Sequence, residues 1–301
     1  MKVVLRDVTL RDGLQDEAPV PTAGKVALFE ALVAAGIRDL ELTSFVRPDR
    51  VPAMADAEEL VAATDGRDSV TRWGLVLNER GARRALASGL RHLQAVISVS
   101  EAHQLENAGQ SVAQGLDGLR TTVGLARAEG AEVELTLATA FGCPYAGPVL
   151  VDDVVRVAEQ AVDAGVSALG LADTIGTAVP TEVGPLVAEV AAFEVPVGVH
   201  LHDTRGLAVA NALAALDAGI ARIDGSVGGL GGCPFAPGAS GNLPLEDLAH
   251  ALEAMGIETG VDVPALVDTA RLACSLVGRE VGSHVGVAGP RFTGTPHAAE
   301  R

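Results

Sequence analysis

Two histidines stand one residue apart in Val199-His200-Leu201-His202-Asp203, inside an apolar stretch that reads as a β-strand. Side chains at i and i+2 of a strand share a face. Both imidazoles would therefore point the same way, as two ligands of one metal ion must. The spacing also suits a hydrogen-bonded histidine pair in a polar patch. A metal needs further donors, and Asp12 near the N-terminus and Asn242 in a glycine-rich stretch offer a carboxylate and an amide oxygen. This nitrogen and oxygen set, with no thiolate, suits Mg2+ or Mn2+ better than Zn2+ or Co2+. Asp12-Gly13 is equally a turn pattern.

Other residues add chemistry to that set. Arg11 would place a permanent cation beside the metal, where an enolate or carboxylate oxygen is stabilised. Glu41 interrupts an apolar run containing Leu40, Leu42 and Phe45. A buried acid needs a partner, and Arg11 is the candidate. The stretch Gly228-Gly229-Leu230-Gly231-Gly232-Cys233-Pro234 is too rich in glycine for a helix or strand, and it continues to Gly241-Asn242. As a loop that closes over a site, it could bring the Cys233 thiol to a substrate as acid or nucleophile. A lone cysteine in a tight turn is also commonly inert. Asp173, in Ala172-Asp173-Thr174-Ile175-Gly176, either orients a ligand or caps a turn.

These residues need a frame. Short β-branched runs beginning near Val3, Arg38, Arg72, Leu93, Glu132, Ala168, Val195 and Ala221 alternate with helical segments such as 23–35 and 207–218, repeating at about 30 residues. Gly36, Gly89, Gly165 and Gly219 sit where helices end before the next strand. A dinucleotide-binding sheet would carry G-x-G-x-x-G after its first strand, and Arg11-Asp12-Gly13-Leu14-Gln15 stands there instead. The pattern predicts an α/β fold, a (β/α)8 TIM barrel with an additional C-terminal helix over 263–277. Residues 1–288 form one domain in this reading, and 289–301 a flexible tail. Such barrels place chemistry at the C-terminal ends of their strands, and Asp12, Glu41, Asp173, His200, His202 and Cys233 fall at or near those ends.

Composition narrows the partners. The 301 residues are 48% hydrophobic with few aromatics, so Ala, Val, Leu and Ile must build the core. A formal charge of -17, with no long basic run, argues against nucleic acid. An anionic acyl-CoA would need a local basic patch, for which Arg47, Arg50, Arg80, Arg83, Arg84 and Arg205 are candidates. Three separated cysteines give no disulfide framework. With no signal-peptide pattern and no apolar run of about 20 residues, a cytoplasmic location away from membranes is expected.

The stretches 11–17 (RDGLQDE), 41–54 (ELTSFVRPDRVPAM), 141–147 (FGCPYAG), 172–176 (ADTIG), 199–204 (VHLHDT) and 228–243 (GGLGGCPFAPGASGNL) resemble the hydroxymethylglutaryl-CoA lyases. These belong to a wider group of barrel metal-lyases and Claisen-condensing synthases, from which the cysteine loop separates them. The resemblance implies metal-dependent cleavage of 3-hydroxy-3-methylglutaryl-CoA to acetoacetate and acetyl-CoA, as in leucine degradation. It implies Asp12, His200, His202 and Asn242 as ligands of Mg2+ or Mn2+, Arg11 as enolate stabiliser, and Cys233 as general acid. Glu41 would support Arg11, and His200 would double as proton carrier. Gln15, Ser44, Asn78 and Arg205 are the expected substrate contacts, with Asp173 an added catalytic candidate. The chain departs from the family's usual residues at Ala18, Pro48-Asp49-Arg50 and Arg205, so a longer 3-hydroxy-3-alkylglutaryl-CoA is an alternative substrate. A condensing synthase of the isopropylmalate or citramalate type and a silent scaffold are the other readings. A homodimer is expected by analogy.

Overall fold

The computed structural model describes residues 3–232 and 241–291. Eight parallel strands close into a barrel in chain order. They are β1 (Val4–Asp7), β2 (Asp39–Ser44), β3 (Thr71–Val76), β4 (His92–Ser98), β5 (Glu132–Ala138), β6 (Ala168–Asp173), β7 (Val197–Leu201) and β8 (Arg222–Gly225). Each begins within two residues of its expected start. The helices are α1 (Thr22–Ala34), α2 (Ala57–Ala63), α3 (Glu79–Ala87), α4 (Glu101–Ala108), α5 (Val112–Ala128), α6 (Val151–Ala164), α7 (Pro180–Ala191), α8 (Ala208–Asp217), α9 (Leu245–Ala254), α10 (Val263–Leu276) and α11 (His284–Ala288). This is a TIM barrel, and α10 is the added C-terminal helix; the short α11 carries no period long enough to read from sequence. No helix among the described residues is long and apolar enough to cross a membrane.

The four helix-ending glycines have φ of 99° (Gly36), 100° (Gly89), 92° (Gly165) and 93° (Gly219), a left-handed conformation that side chains rarely adopt. Each lets the chain reverse within two or three residues into the next strand. Between sheet and helices the core is aliphatic, with Leu28, Leu40, Leu135, Leu169, Val199 and Leu248 fully buried. Burial on both sheet faces is why the strands read as continuous apolar runs rather than alternating ones.

The barrel interior differs from the expected aliphatic core. Glu134 of β5 takes both Nη atoms of Arg222 at 2.6 Å and Nη1 of Arg6 at 3.1–3.2 Å. Arg6 also donates through Nε to Asp39 at 2.5 Å, and its guanidinium lies 4.2 Å from the centre of the Trp73 ring. Arg222 Nε donates to Asp224 Oδ1 at 2.6 Å. Small residues on neighbouring strands admit these charges: a Cβ at Gly198 would lie 2.6 Å from the Arg222 guanidinium. Burying charges is costly unless every one is paired, and here each has an oppositely charged partner. Desolvation alone would raise the Asp224 carboxyl, but the Arg222 guanidinium holds it well below the usual range.

Candidate active site

Beyond β1 the chain tightens into a π-helical turn, Thr9–Gly13, a geometry common where backbone is re-aimed at a site. Asp7 holds the turn by accepting from the Thr9 N–H at 2.9 Å and the Thr9 hydroxyl at 2.6 Å, while Thr9 Oγ1 accepts from Val227 N–H at 2.9 Å. The turn is thereby tied to the segment after β8. Arg11 and Asp12 both come to rest buried on the wall of a cavity of 840 Å³ at the C-terminal end of the barrel.

Arg11 is fixed by two carboxylates. Its Nη2 lies 2.6 Å from Glu41 Oε2, and its Nη1 donates to Asp12 Oδ1. Glu41 is fully buried within β2, which answers the unpaired acid of that apolar run. Its carboxyl is pushed up by burial, against the pull of Arg11. Burial lowers the tendency of Arg11 itself to hold charge, but Asp12 and Glu41 more than restore it.

The two histidines converge on Asp12. His200 Nε2 lies 3.9 Å and His202 Nε2 3.6 Å from Asp12 Oδ2, and the two Nε2 atoms are 3.2 Å apart. All three side chains are buried. Desolvation would raise the Asp12 carboxyl, but Arg11 and the histidines hold it far below its ordinary range, so it is a ready anionic donor. His202 pairs through its backbone with Asn242, and Asn242 Nδ2 donates to Asp12 Oδ2 at 2.7 Å and to Leu230 O at 3.0 Å. Gly231 permits this approach: at φ 115°, its Cβ would stand 2.5 Å from Asn242 Nδ2.

The cluster fits a divalent cation. Adjacent ligands of an ion bound at about 2.1 Å stand about 3–4 Å apart, as the three donors do, and they all lie within 4.8 Å of one another. Asn242 Oδ1 is buried without a hydrogen-bond partner. Its amide nitrogen is engaged by Asp12 and the Leu230 carbonyl, so the oxygen would join a ligand set only if the amide turned and gave up those bonds. Behind the cluster, Asp224 Oδ2 stands 3.7 Å from His200 Nδ1. A carboxylate there fixes a ligand imidazole's tautomer and orientation.

The remaining expected residues divide. Gln15, Ser44 and Asn78 line the cavity. Asn78 also caps α3, its Oδ1 accepting from Gly81 N–H at 3.0 Å. Asp173 accepts from Thr177 and Ala178 N–H, both at 2.9 Å, and so holds the loop after β6. Arg205 is redirected. It is exposed and donates to the carbonyls of Ile175 and Gly176 at 3.0 and 2.8 Å rather than lining the cavity. Cys233 lies outside the described residues. Sequence reasoning missed Asp224, although Arg222-x-Asp224 on a strand of period two was a sign of charges facing inward.

The HMGL-like family model matches residues 2–273. The chain belongs to that family. Within it, hydroxymethylglutaryl-CoA lyase YngG of Bacillus subtilis is 38% identical over 285 residues, 94% of this chain and 95% of that protein. (R)-citramalyl-CoA lyase of Chloroflexus aurantiacus is 39% identical over 303 residues, 96% of each. Among solved structures, an HMG-CoA lyase from Acinetobacter baumannii in complex with coenzyme A and 3-methylmalate matches with a TM-score of 0.93 at 36% identity, covering 98% of this chain and 97% of that one. HMGL-like relatives thus share the whole barrel with this chain, and those named here are carbon–carbon lyases of acyl-CoA thioesters.

Proposed function

We propose that the protein cleaves 3-hydroxy-3-methylglutaryl-CoA to acetoacetate and acetyl-CoA with Mg2+ or Mn2+ held by Asp12, His200, His202 and Asn242. The observation that carries this reading is the convergence of Asp12, His200 and His202 beside Arg11, itself clamped by Glu41, in one cavity. A divalent cation held by these residues would lower the pKa of the substrate's C3 hydroxyl.

The chain's own residues supply the other steps. The C3 hydroxyl gives up its proton to His200, the C2–C3 bond breaks, and its electron pair becomes the enolate of acetyl-CoA while C3 becomes the ketone of acetoacetate. Arg11, on the cavity wall between Asp12 and Glu41, meets the new negative charge. Cys233 then protonates C2, a role that the resemblance to the hydroxymethylglutaryl-CoA lyases implies.

The acyl-CoA needs its own anchor in a chain of charge -17. Arg47, Arg50, Arg80 and Arg84 gather on the cavity wall, and Arg50 and Arg80 form no ion pair among the described residues. They give the thioester's phosphates a local positive field within an acidic surface. A cytoplasmic homodimer serving leucine breakdown is the setting we propose.

Incubation of metal-loaded protein with the thioester, followed by detection of acetoacetate and acetyl-CoA, tests the reading. Activity must disappear on chelation and return with added Mg2+ or Mn2+. Pyruvate released from citramalyl-CoA in place of acetoacetate would instead assign the substrate of the Chloroflexus relative.

A further inference from the structure

The charged interior of the barrel reaches the metal cluster through Asp224 of β8. Its Oδ1 accepts from Arg222 Nε at 2.6 Å. Its other oxygen, Oδ2, is buried without a hydrogen-bond partner in the protein and stands 3.7 Å from His200 Nδ1. That separation is longer than a hydrogen bond, so a small turn of the carboxylate either closes the contact or breaks it. Which way Oδ2 faces is set by the grip on Oδ1.

The grip is itself held from behind. Arg222 gives both Nη atoms to Glu134 of β5 at 2.6 Å, a two-bond fork that fixes the plane of the guanidinium. Glu134 also accepts from Arg6 Nη1 at 3.1–3.2 Å, and Arg6 is anchored through Nε by Asp39 and across its face by the Trp73 ring. The plane has room because Gly198 of β7 carries no side chain: a Cβ there would lie 2.6 Å from the guanidinium carbon. Across the β7–β8 ladder Gly198 pairs with Arg222, and His200 with Asp224. Arg222, Asp224 and Glu134 do not line the cavity, whereas His200 does. These three residues therefore cannot touch a substrate, and His200 is the cavity side chain that Asp224 faces.

Paired charges in a buried interior have a plain reading, in which each arginine only neutralises the acids beside it. The three-sided hold on one guanidinium goes further than neutrality requires. We propose that Arg222, locked by Glu134, is a positioning residue for the metal cluster: it turns the Asp224 carboxylate toward His200 and so holds the imidazole with Nε2 presented to the ion. The proposal rests on the metal site of the reading above and not on which thioester is cleaved. A carboxylate facing the far nitrogen of a ligand imidazole fixes its ring and tautomer. Arginine suits the task because its donors lie in one rigid plane and reach two carboxylates at once, which a lysine of equal charge cannot do.

The test is calorimetric titration of the metal-free protein with Mn2+. Wild type, Arg222→Lys, Asp224→Asn and the double variant are compared, with thermal unfolding of each. Arg222→Lys keeps the buried charge and loses the fork. It should weaken Mn2+ binding about tenfold, the lower end of the range for partners standing behind a ligand. The double variant should bind no more weakly than Asp224→Asn alone, because both changes act through one carboxylate. A role in neutralisation alone predicts that folded Arg222→Lys matches the wild-type affinity, whatever its Tm. That result overturns the proposal, as do losses that add in full in the double variant. Should Arg222→Lys not fold, Glu134→Gln carries the comparison, since its side chain bonds only to Arg6 and Arg222 among the described residues. It should weaken Mn2+ binding several-fold, and an unchanged affinity overturns the proposal. Absence of Mn2+ binding by the wild type removes the metal reading first, and this proposal with it.

Discussion

Replacing Arg11 with lysine separates the chemistry of this site from its charge. The arginine reaches Glu41 with Nη2 and Asp12 with Nη1, and it retains an unpaired Nε–H. A lysine keeps the positive charge but concentrates it on one atom, which cannot bridge both carboxylates and also meet an enolate oxygen. Loss of one charge-assisted contact in the folded protein costs about 2 kcal/mol. Spread over the unfolding entropy of a chain this long, that lowers Tm by only about 3 °C. Loss of one aligned donor to the developing enolate costs about 3 kcal/mol in the transition state, or two to three orders of magnitude in kcat. Arg11→Lys should therefore remain folded and bind metal, yet release acetoacetate 100-fold to 1000-fold more slowly at saturating thioester. The assay is steady-state turnover beside metal content and thermal unfolding of the same preparation. Turnover within about threefold of wild type would show that Arg11 does not meet the enolate.

Other perturbations probe separate parts of the site. Asp224→Asn keeps shape but removes the carboxylate behind His200, and should weaken Mn2+ affinity about 10–100-fold in a calorimetric titration; unaltered affinity would sever that link. Cys233→Ala should lower kcat by orders of magnitude with Tm unchanged, as read by product release and thermal unfolding. Arg80→Ala should raise KM for the thioester several-fold while kcat holds, with the effect shrinking as salt rises; a fall in kcat alone would place Arg80 elsewhere in the cycle. Burial pushes Glu246 up to about 7, against its hydrogen bonds from Ser283 and Gly228. The folded protein thus holds that proton more tightly than the unfolded chain, so this contribution to stability is full below pH of about 4.5 and is lost as pH rises to about 7. Glu246→Gln should flatten the fall in Tm across that window, and a curve as steep as wild type would show that another group sets it.

The parts legible in sequence were those encoded by local period. His200 and His202 were readable as a pair because a strand alternates its faces, and the glycines after α1, α3, α6 and α8 marked helix ends because only glycine adopts those angles at little cost. Glu41 was readable through its cost: a carboxylate among Leu40, Leu42 and Phe45 had to have a cation, and Arg11 supplies it. Asp173 and Arg205 resisted the same reasoning. Asp173 ends β6 and Arg205 lies in the loop after β7, and whether such a side chain turns into the cavity or back onto loop amides and carbonyls is not encoded in spacing. The ionic interior was hidden for another reason. Arg6, Glu134 and Arg222 come from β1, β5 and β8, and only closure of the barrel reveals that charges so distant in sequence face one another.

That closure also explains why a cation belongs at the top of the barrel. Asp12 and Glu41 share Arg11, while Asp39, Glu134 and Asp224 share Arg6 and Arg222. Five carboxylates thus stand around three guanidiniums, with the imidazoles of His200 and His202 beside Asp12. Asp12 and Asp224, the acids flanking His200, are both held deprotonated. Arginine cannot make up the difference from below, since Gly170 and Gly198 already have Thr136 and Arg222 against them. Further positive charge can enter from the cavity, where two imidazoles and a carboxylate converge within reach of one ion. A divalent cation held there would offset part of the buried negative charge and would polarise a substrate hydroxyl.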